Sequence, residues 1–188
     1  MNNYKNYAAF TGIVSSMNFN SDTSLKRPMI QLSVYNTDKE EWSTQVYVVF
    51  SSNSLIRKSQ KISEGDIISI FGSVSSYENK TCIRCRSFLI LSKNIDKESE
   101  FFRRPAFFEF DVTPNVAILF GHVVHANEGN AYITIDNEEV VGGEIIKPAT
   151  VSITYPIEQK MNAKDEIVFI GNFSGNSLEG TVKVIKEA

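Results

Sequence analysis

The sequence predicts an all-β protein with a minor helix, organised as two similar halves. Runs rich in Val, Ile, Tyr and Phe alternate apolar and polar residues, which is the period of a half-buried strand. Ser, Asn, Asp and Gly separate the runs, as they do at turns. DIISIFGSVS (66–75) and DEIVFIGNFS (165–174) also match at a constant offset of 99 residues. A repeated strand plan accounts for all three observations.

The first half contains five predicted strands and one predicted helix. Residues 51–65 suit a short helix, with serines at its start, an apolar stripe of Leu55, Ile56 and Ile62, and Gly65 at its end. The strands are FTGIVSS, MIQLSVYN, STQVYVVF, DIISIFGSVS and TCIRCRSFLIL.

This order, three strands, a helix and two strands, is that of the OB-fold, a five-stranded Greek-key barrel. The second half supplies five further strands: NVAILFGHVVHA, AYITIDN, ATVSITY, EIVFIGNFSG and GTVKVIKE. The sequence therefore predicts two tandem OB-fold barrels, residues 1–91 and 115–188. The linker, residues 92–114, begins with a charged stretch and contains Pro105 and Pro114.

Composition and motifs narrow the classes of function. MNNYKNYAAFTG lacks the apolar core of a secretory signal, and no run approaches the roughly 20 apolar residues of a membrane helix, so we expect a cytoplasmic protein with no membrane partner. The motifs G-x-x-x-x-G-K-S/T, G-x-S-x-G and H-E-x-x-H are missing, and we expect neither catalysis nor a cofactor. Residues 1–91 carry ten basic and seven acidic side chains, whereas residues 92–188 carry nine and fifteen. The first half is therefore the better match for a polyanion.

The only cysteines, Cys82 and Cys85, and the only histidines, His122 and His125, have the composition of a Cys2His2 zinc site. A zinc knuckle bends its C-x-x-C around a tight turn, whereas TCIRCRSFLIL has the pattern of a strand. Strand residues three apart point to opposite faces. The context favours buried or idle thiols, and we expect no metal.

Residues 40–90 resemble the bacterial and phage single-stranded-DNA-binding (SSB) proteins. EEWSTQVYVVF looks like the segment in which they have E-W-x-x-V-x-x-F/W, and EGDIISIFGSV looks like the one in which they have K-G-x-x-V-x-I/V-x-G-x-L/V. The resemblance implies an OB-fold, binding of single-stranded DNA without sequence preference, and a role in DNA replication, recombination or transfer. Homo-oligomers and replication or recombination proteins remain open as partners. The chain departs from the family by its second barrel and by ending in VKVIKEA instead of an acidic tail.

Aromatic side chains stack on bases whatever the sequence, and Lys and Arg beside them contact phosphates. Trp42 falls where the resemblance places a base-stacking tryptophan. Strand alternation puts Tyr47 and Phe71 on outward faces, together with Val49, Ser69 and Ser73. The candidate nucleic-acid-binding residues are Trp42, Tyr47, Phe71, Tyr77, Arg84, Arg86, Tyr35, Lys26, Arg27 and Lys80.

Residues 101–110, FFRRPAFFEF, contain five phenylalanines, more than a solvent-exposed segment tolerates. We expect Phe108 and Phe110 to pack between the barrels or across a homodimer contact. A DNA contact and a docking site for a partner are the alternatives. For the whole chain the rival hypotheses are an RNA binder and a protein-docking OB-fold adaptor of a phage, plasmid or secretion system.

Overall fold

The computed structural model describes residues 6–18, 28–36, 41–77, 80–95, 115–135, 139–141, 144–146, 149–174 and 177–185. The first half has the strands β1 (Tyr7–Asn18), β2 (Met29–Asn36), β3 (Glu41–Phe50), β4 (Ile67–Tyr77) and β5 (Lys80–Ser92), with the helix α1 (Asn53–Ser59) after β3. The second half has β6 (Val116–Asn127), β7 (Asn130–Ile135), β8 (Glu139–Val141), β9 (Glu144–Ile146), β10 (Ala149–Thr154), β11 (Glu166–Ser174) and β12 (Ser177–Val184). The protein is therefore mostly β-sheet, as predicted. In the described part of the chain no helix is long and apolar enough to cross a membrane.

Strand pairing in the first half closes on itself. β1 pairs with β2, β2 with β3, β3 with β5 in parallel, β5 with β4, and β4 again with β1. β1 is long enough to pair with two strands of this cycle. Residues 8–13 pair with β4, and residues 12–18 pair with β2. We call β1–β5 with α1 the N-terminal unit. The inward side chains of its strands form a buried core around Phe10, Leu32, Val48, Ile70 and Ile83.

The second half repeats this cycle through β6, β7, β10, β12 and β11, which we call the C-terminal unit. Residues at the predicted offset of 99 have the same local role. The carbonyl oxygen of Asp66 accepts a hydrogen bond from the backbone N–H of Val14 at 2.9 Å, and that of Asp165 accepts one from Val123 at 2.9 Å. The same turn therefore leads into β4 and β11.

Local details differ from the sequence prediction at α1 and at β8–β9, and the two units differ from each other in the connection before the fourth strand of each cycle. α1 ends at Ser59 and not at Gly65. The N–H groups of Lys61 and Ile62 bond to carbonyl oxygens three residues back, those of Lys58 and Ser59, and Gly65 lies further on with a positive φ of 85°, in the turn that precedes β4. No helix occupies residues 155–165, the corresponding connection of the C-terminal unit. The short pair β8–β9 was not predicted, because three residues in each strand are too few for alternation to mark a strand.

The two units share one sheet. β1 and β6 pair antiparallel through three residue pairs, Tyr7 with Ile118, Ala8 with Ala117, and Ala9 with Val116. On the inner side, the aromatic rings of Phe10 and Phe173 lie 5.8 Å apart, one from each unit. The domain boundaries at residues 91 and 115 remain a prediction, since hydrogen bonds and packing cross between the units. Phe108 and Phe110, predicted to pack there, lie outside the described residues.

In each unit an asparagine side chain makes two hydrogen bonds to the backbone of one residue near the C-terminal end of a strand, β4 or β11. The side chain of Asn6 donates to the carbonyl oxygen of Val74 and accepts from its N–H, at 2.7 and 3.0 Å. Asn115 brackets Phe173 in the same way, at 3.4 and 3.1 Å. Both asparagines immediately precede the strands that form the junction. The ends of β4 and β11 are therefore held beside the neighbouring unit.

A buried carboxylate organises the turn between α1 and β4. Asp66 is fully buried and accepts hydrogen bonds from the backbone N–H groups of Ser63 and Asn94, at 2.8 and 3.1 Å, and from Lys93 Nζ at 2.6 Å. Burial by itself acts to raise the pKa of this carboxyl group. The Lys93 and backbone hydrogen bonds outweigh burial, and the pKa of Asp66 lies below its ordinary value.

We expect Asp66→Asn to lower the free energy of unfolding at pH 7 by about 1.5–3 kcal/mol, since hydrogen bonds to a charged group are lost. A lowered folded-state pKa stabilises the fold above the unfolded-state pKa of roughly 3.9, and this contribution disappears as the pH falls through the folded-state pKa. The difference between variant and wild type should therefore shrink on acidification. Urea denaturation at pH 7, 5 and 3 measures it.

Asp165→Asn is the matched control. Asp165 occupies the same turn of the C-terminal unit and accepts a hydrogen bond from the N–H of Asn162 at 2.7 Å, but it is only partly buried. Its replacement should cost less. An equal cost for both variants, or a difference for Asp66 that does not change with pH, would contradict this account.

Candidate nucleic-acid interface

The structure describes five of the ten predicted nucleic-acid-binding residues with their side chains: Trp42, Tyr47, Phe71, Arg84 and Arg86. Tyr35, Tyr77 and Lys80 lie in β2, β4 and β5, and only their backbone positions are described. Lys26 and Arg27 lie outside the described residues. The predicted set can therefore be placed in part.

A bulge determines the orientation of Trp42. In β3 the inward residues are Thr44, Val46, Val48 and Phe50, so uninterrupted alternation would also turn Trp42 inward. The register shifts between Val34 and Tyr35, and Ser43 has no partner in the ladder. Trp42 then lies opposite position 35, which follows the inward Val34 and belongs to the outward side of β2. Trp42 is half-buried there.

Tyr47 is on the same outward side of β3, opposite Gln31 of β2, and is also half-buried. Two aromatic side chains thus lie on one face of the β2–β3 pair, on either side of Gln45. Aromatic side chains on one face of a sheet can stack on the bases of a single strand. We call the outward face of β1, β2 and β3 around Trp42 and Tyr47 the aromatic face.

Polar side chains of β1, β2 and β3 form hydrogen bonds with one another on the aromatic face. Ser15 donates to Gln45 Oε1 at 3.2 Å, and Gln45 Nε2 donates to Ser33 Oγ at 2.9 Å. Ser16 donates to Gln31 Oε1 at 3.1 Å. The sequence analysis did not select Ser15, Ser16, Gln31 or Ser33. Alternation in β2 turns Gln31 and Ser33 outward, but polar outward residues are too common to mark a site. Ser15 and Ser16 are both exposed because the register of β1 shifts between Val14 and Ser16, which alternation does not predict.

The two arginines of β5 have different surroundings. Arg84 lies beside Val49 of β3 and Ser73 of β4, is half-buried, and donates from Nη1 to Ser51 Oγ at 2.9 Å. Arg86 is the extra residue of a bulge, since Cys85 pairs with Gly72 and Ser87 with Phe71. Its side chain is exposed. Arg84 is thus next to the strand that carries Tyr47, at the edge of the aromatic face.

Two residues that were predicted to point outward are not exposed to solvent. Val49 is only 1% exposed, and Ser73 is also buried, although both alternate with core residues as predicted. Strand alternation assigns a side chain to a face, but it does not say whether that face is covered. Tyr47 and Val49 were predicted as equivalent outward neighbours, and only Tyr47 retains part of its surface.

Phe71 is separated from the other aromatic candidates. It is 41% exposed, as an outward prediction requires. Its neighbours are Ala9 of β1 and Ser87 of β5, on the side of the unit where β1 pairs with β6. Tyr47 lies on β3, which has no pairing with β4. The structure therefore does not bring Phe71 to the aromatic face.

The cysteines and histidines do not form one cluster. Cys82 and Cys85 are buried in β5 on opposite faces, whereas His122 and His125 lie on β6 of the other unit. His122 Nε2 is 3.2 Å from Glu166 Oε1. In the part of the chain that the structure describes, no three His, Cys, Asp or Glu side chains are placed to hold a metal ion. Burial raises the pKa of both Cys82 and Cys85 to about 12.

Because the thiolate is the reactive form, we expect both thiols to react slowly with Ellman's reagent at pH 8 in the folded protein. In denaturant, two thiols per chain should react at the rate of free cysteine. Rapid reaction of either cysteine in the folded state would contradict the burial of the two thiols. Zinc chloride should leave the melting temperature unchanged, and a stabilised protein would contradict the separation of cysteines and histidines.

Comparison with known proteins places the fold. No protein-family model matches the chain, and no curated protein matches it in sequence. The chain does share its fold with solved single-stranded-DNA-binding structures. The wild-type single-stranded DNA binding protein from Thermus aquaticus is similar over 98% of this chain and 94% of its own, with 12% sequence identity and a TM-score of 0.61. A deletion variant of that protein is similar over 98% of this chain and 96% of its own, with 11% identity and a TM-score of 0.60.

Proposed function

We propose that this protein binds single-stranded DNA without sequence preference. The observation that carries the proposal is the placement of Trp42 and Tyr47 on one outward face of β3, in a chain that shares its whole fold with a single-stranded DNA binding protein. Both side chains are partly exposed, and both lie in the half of the sequence with excess positive charge.

The proposed mechanism uses stacking for affinity and charge for attraction. Bases would stack on the rings of Trp42 and Tyr47, each contact contributing roughly 1–3 kcal/mol. The hydrogen-bonded side chains of Gln31 and Gln45 would limit movement of the face between the rings. Arg84 and Arg86 would attract the phosphates, so the affinity should fall as salt is added. We also include Tyr35, whose backbone pairs with that of Trp42, among the proposed stacking residues.

We further propose that each closed cycle of five strands is an OB-fold barrel, so that the chain contains two in tandem. The cyclic pairing of five strands, with β3–β5 and β10–β12 as the parallel pairs, supports this. A role in replication, recombination or transfer follows from the proposed ligand. The proposal includes no catalytic step, and it assigns the protein to the cytoplasm, where it would meet DNA.

Binding should be visible as quenching of the fluorescence of Trp42, the only tryptophan, when oligo-dT is added at low salt. Fluorescence anisotropy of labelled oligo-dT then gives the affinity at several salt concentrations. Trp42→Ala and Tyr47→Ala should each weaken binding by about 1–3 kcal/mol, or roughly 5- to 150-fold. Trp42→Phe and Tyr47→Phe are the matched controls, and because they keep a ring they should retain most of the affinity.

The outcomes separate the competing functions. Absence of binding to oligo-dT at low salt would contradict single-stranded DNA binding and favour a protein-docking adaptor. Tighter binding to oligo-U than to oligo-dT would favour an RNA ligand. Binding that survives the Trp42→Ala, Tyr47→Ala double substitution would show that the DNA-binding surface lies elsewhere on the chain.

A further inference from the structure

The helix α1 and the turn after it have one inward side and one basic, solvent-exposed side. The inward side packs against the core of the N-terminal unit and consists of Leu55, Ile56, Ser59 and, in the turn, Ile62. The opposite side carries Arg57, Lys58 and Lys61, and all three side chains are exposed. Their spacing places them together, because helix residues three and four apart share a face. We call these three side chains the basic helix face.

The helix dipole explains only part of this charge pattern. A helix favours acidic side chains in its first turn and basic ones in its last, because its N-terminus is partly positive and its C-terminus partly negative. α1 has Arg57 and Lys58 in its last turn but no acidic residue in its first. Residues 51–65 contain three basic side chains against one acidic side chain, Glu64. The resulting positive potential attracts a polyanion.

The C-terminal unit closes the same position of its fold without a basic helix. Met161 lies 99 residues after Ile62. Both side chains are buried, with 9% and 3% of their surface exposed. The turn that follows is also the same, since a backbone N–H donates to the aspartate three residues later in each unit, at 2.7 and 2.8 Å. Residues 155–165, all of which the structure describes, nevertheless form no helix and contain two basic and two acidic side chains. The fold therefore requires the buried residue and the turn, but not the basic helix face.

A hydrogen bond joins the start of α1 to the edge of the aromatic face. Arg84 Nη1 donates to Ser51 Oγ at 2.9 Å. The next residue, Ser52, is the N-cap of the helix, and its side chain accepts a hydrogen bond from the N–H of Leu55 at 3.2 Å. The helix therefore begins directly beside an arginine that borders the proposed DNA-binding surface.

Lys93 holds the other end of the basic helix face. Its Nζ donates to the carbonyl oxygen of Lys61 and to the buried Asp66 carboxylate, at 2.6 Å for the carboxylate. Because Asp66 compensates the charge of Lys93, this lysine positions the backbone at Lys61 without adding net charge to the surface. The charge available to a ligand is that of the basic helix face itself.

We propose that single-stranded DNA bound on the aromatic face continues past Arg84 and places its phosphates on the basic helix face. This extension of the ligand path rests on the function proposed above. α1 carries no aromatic side chain, so charge alone holds this part of the DNA, whereas stacking supplies affinity on the aromatic face. The two parts of the path therefore respond differently to the length of the DNA and to salt.

Titration of the full chain with oligo-dT of two lengths tests the path. Lengths of about 4 and about 16 nucleotides span the site sizes of a single OB-fold. The triple variant Arg57→Gln, Lys58→Gln, Lys61→Gln should bind the short oligonucleotide like the wild type, with the same quenching of Trp42. It should bind the long one more weakly at low salt. The slope of log affinity against log salt should become shallower by about 2, since each phosphate contact on a single strand contributes roughly 0.7.

Two matched variants separate position from net charge and from folding. Lys160→Gln, Lys164→Gln, Lys183→Gln also removes three exposed positive charges, all from the C-terminal unit, and should leave the salt slope unchanged. Arg57→Lys, Lys58→Arg, Lys61→Arg keeps every charge and should bind both lengths like the wild type. Gln, Lys and Arg have similar helix propensities, so circular dichroism and the melting temperature should stay the same in all variants.

The outcomes distinguish this path from the proposed function. If oligo-dT of neither length binds the wild type, the proposed function fails and the path over α1 fails with it. If the short oligonucleotide binds and quenches Trp42 but the α1 glutamine variant keeps the wild-type salt slope for the long one, only the path over α1 is overturned. An equal loss in the C-terminal lysine variant, or an equal loss for both lengths, would also overturn it, because the effect would then be one of overall charge.

Discussion

The pairing of β1 with three other strands is the constraint on which the rest of the structure depends. This strand closes the N-terminal unit by pairing with β4 along its first half and with β2 along its second. Residues 7–9 also pair with β6 and attach the C-terminal unit. A single strand therefore determines the closure of one unit, the position of the other, and the two faces on which the aromatic side chains are distributed.

Close approach at glycine makes these pairings possible. At Gly72 a Cβ atom would lie 2.3 Å from the carbonyl oxygen of Arg84, and at Gly171 it would lie 2.3 Å from that of Glu179. Both glycines are opposite the alanines that meet at the junction. Small residues across this row let the strands bend sharply, which closed sheets of few strands require. Gly72 and Gly171, which lie 99 residues apart, are thus required by the geometry of the two units.

The separation of two outward faces gives the aromatic residues two different surroundings. Trp42 and Tyr47 lie over the β2–β3 pair beside hydrogen-bonded amides and hydroxyls, a polar setting that suits a charged ligand. Phe71 lies beside Ala9 and near the row formed by Tyr7, Ile118 and Ile170, an apolar setting that suits a protein surface. The surroundings of each ring, and not the ring itself, distinguish a stacking platform from a packing contact.

The sequence by itself determined the strands, the helix after β3, and the repeat, because alternation and turn residues are local signals that each segment carries alone. It also assigned the core of β4, where Ile68, Ile70 and Val74 are buried as alternation requires. Only the tertiary structure decided which outward residues meet. The bulge at Ser43 reverses the side on which Trp42 lies, and the pairing of β4 with β1 and β5 places Phe71 apart from Tyr47 of β3. Both effects arise from the pairing between strands, and the alternation within one strand does not contain that pairing.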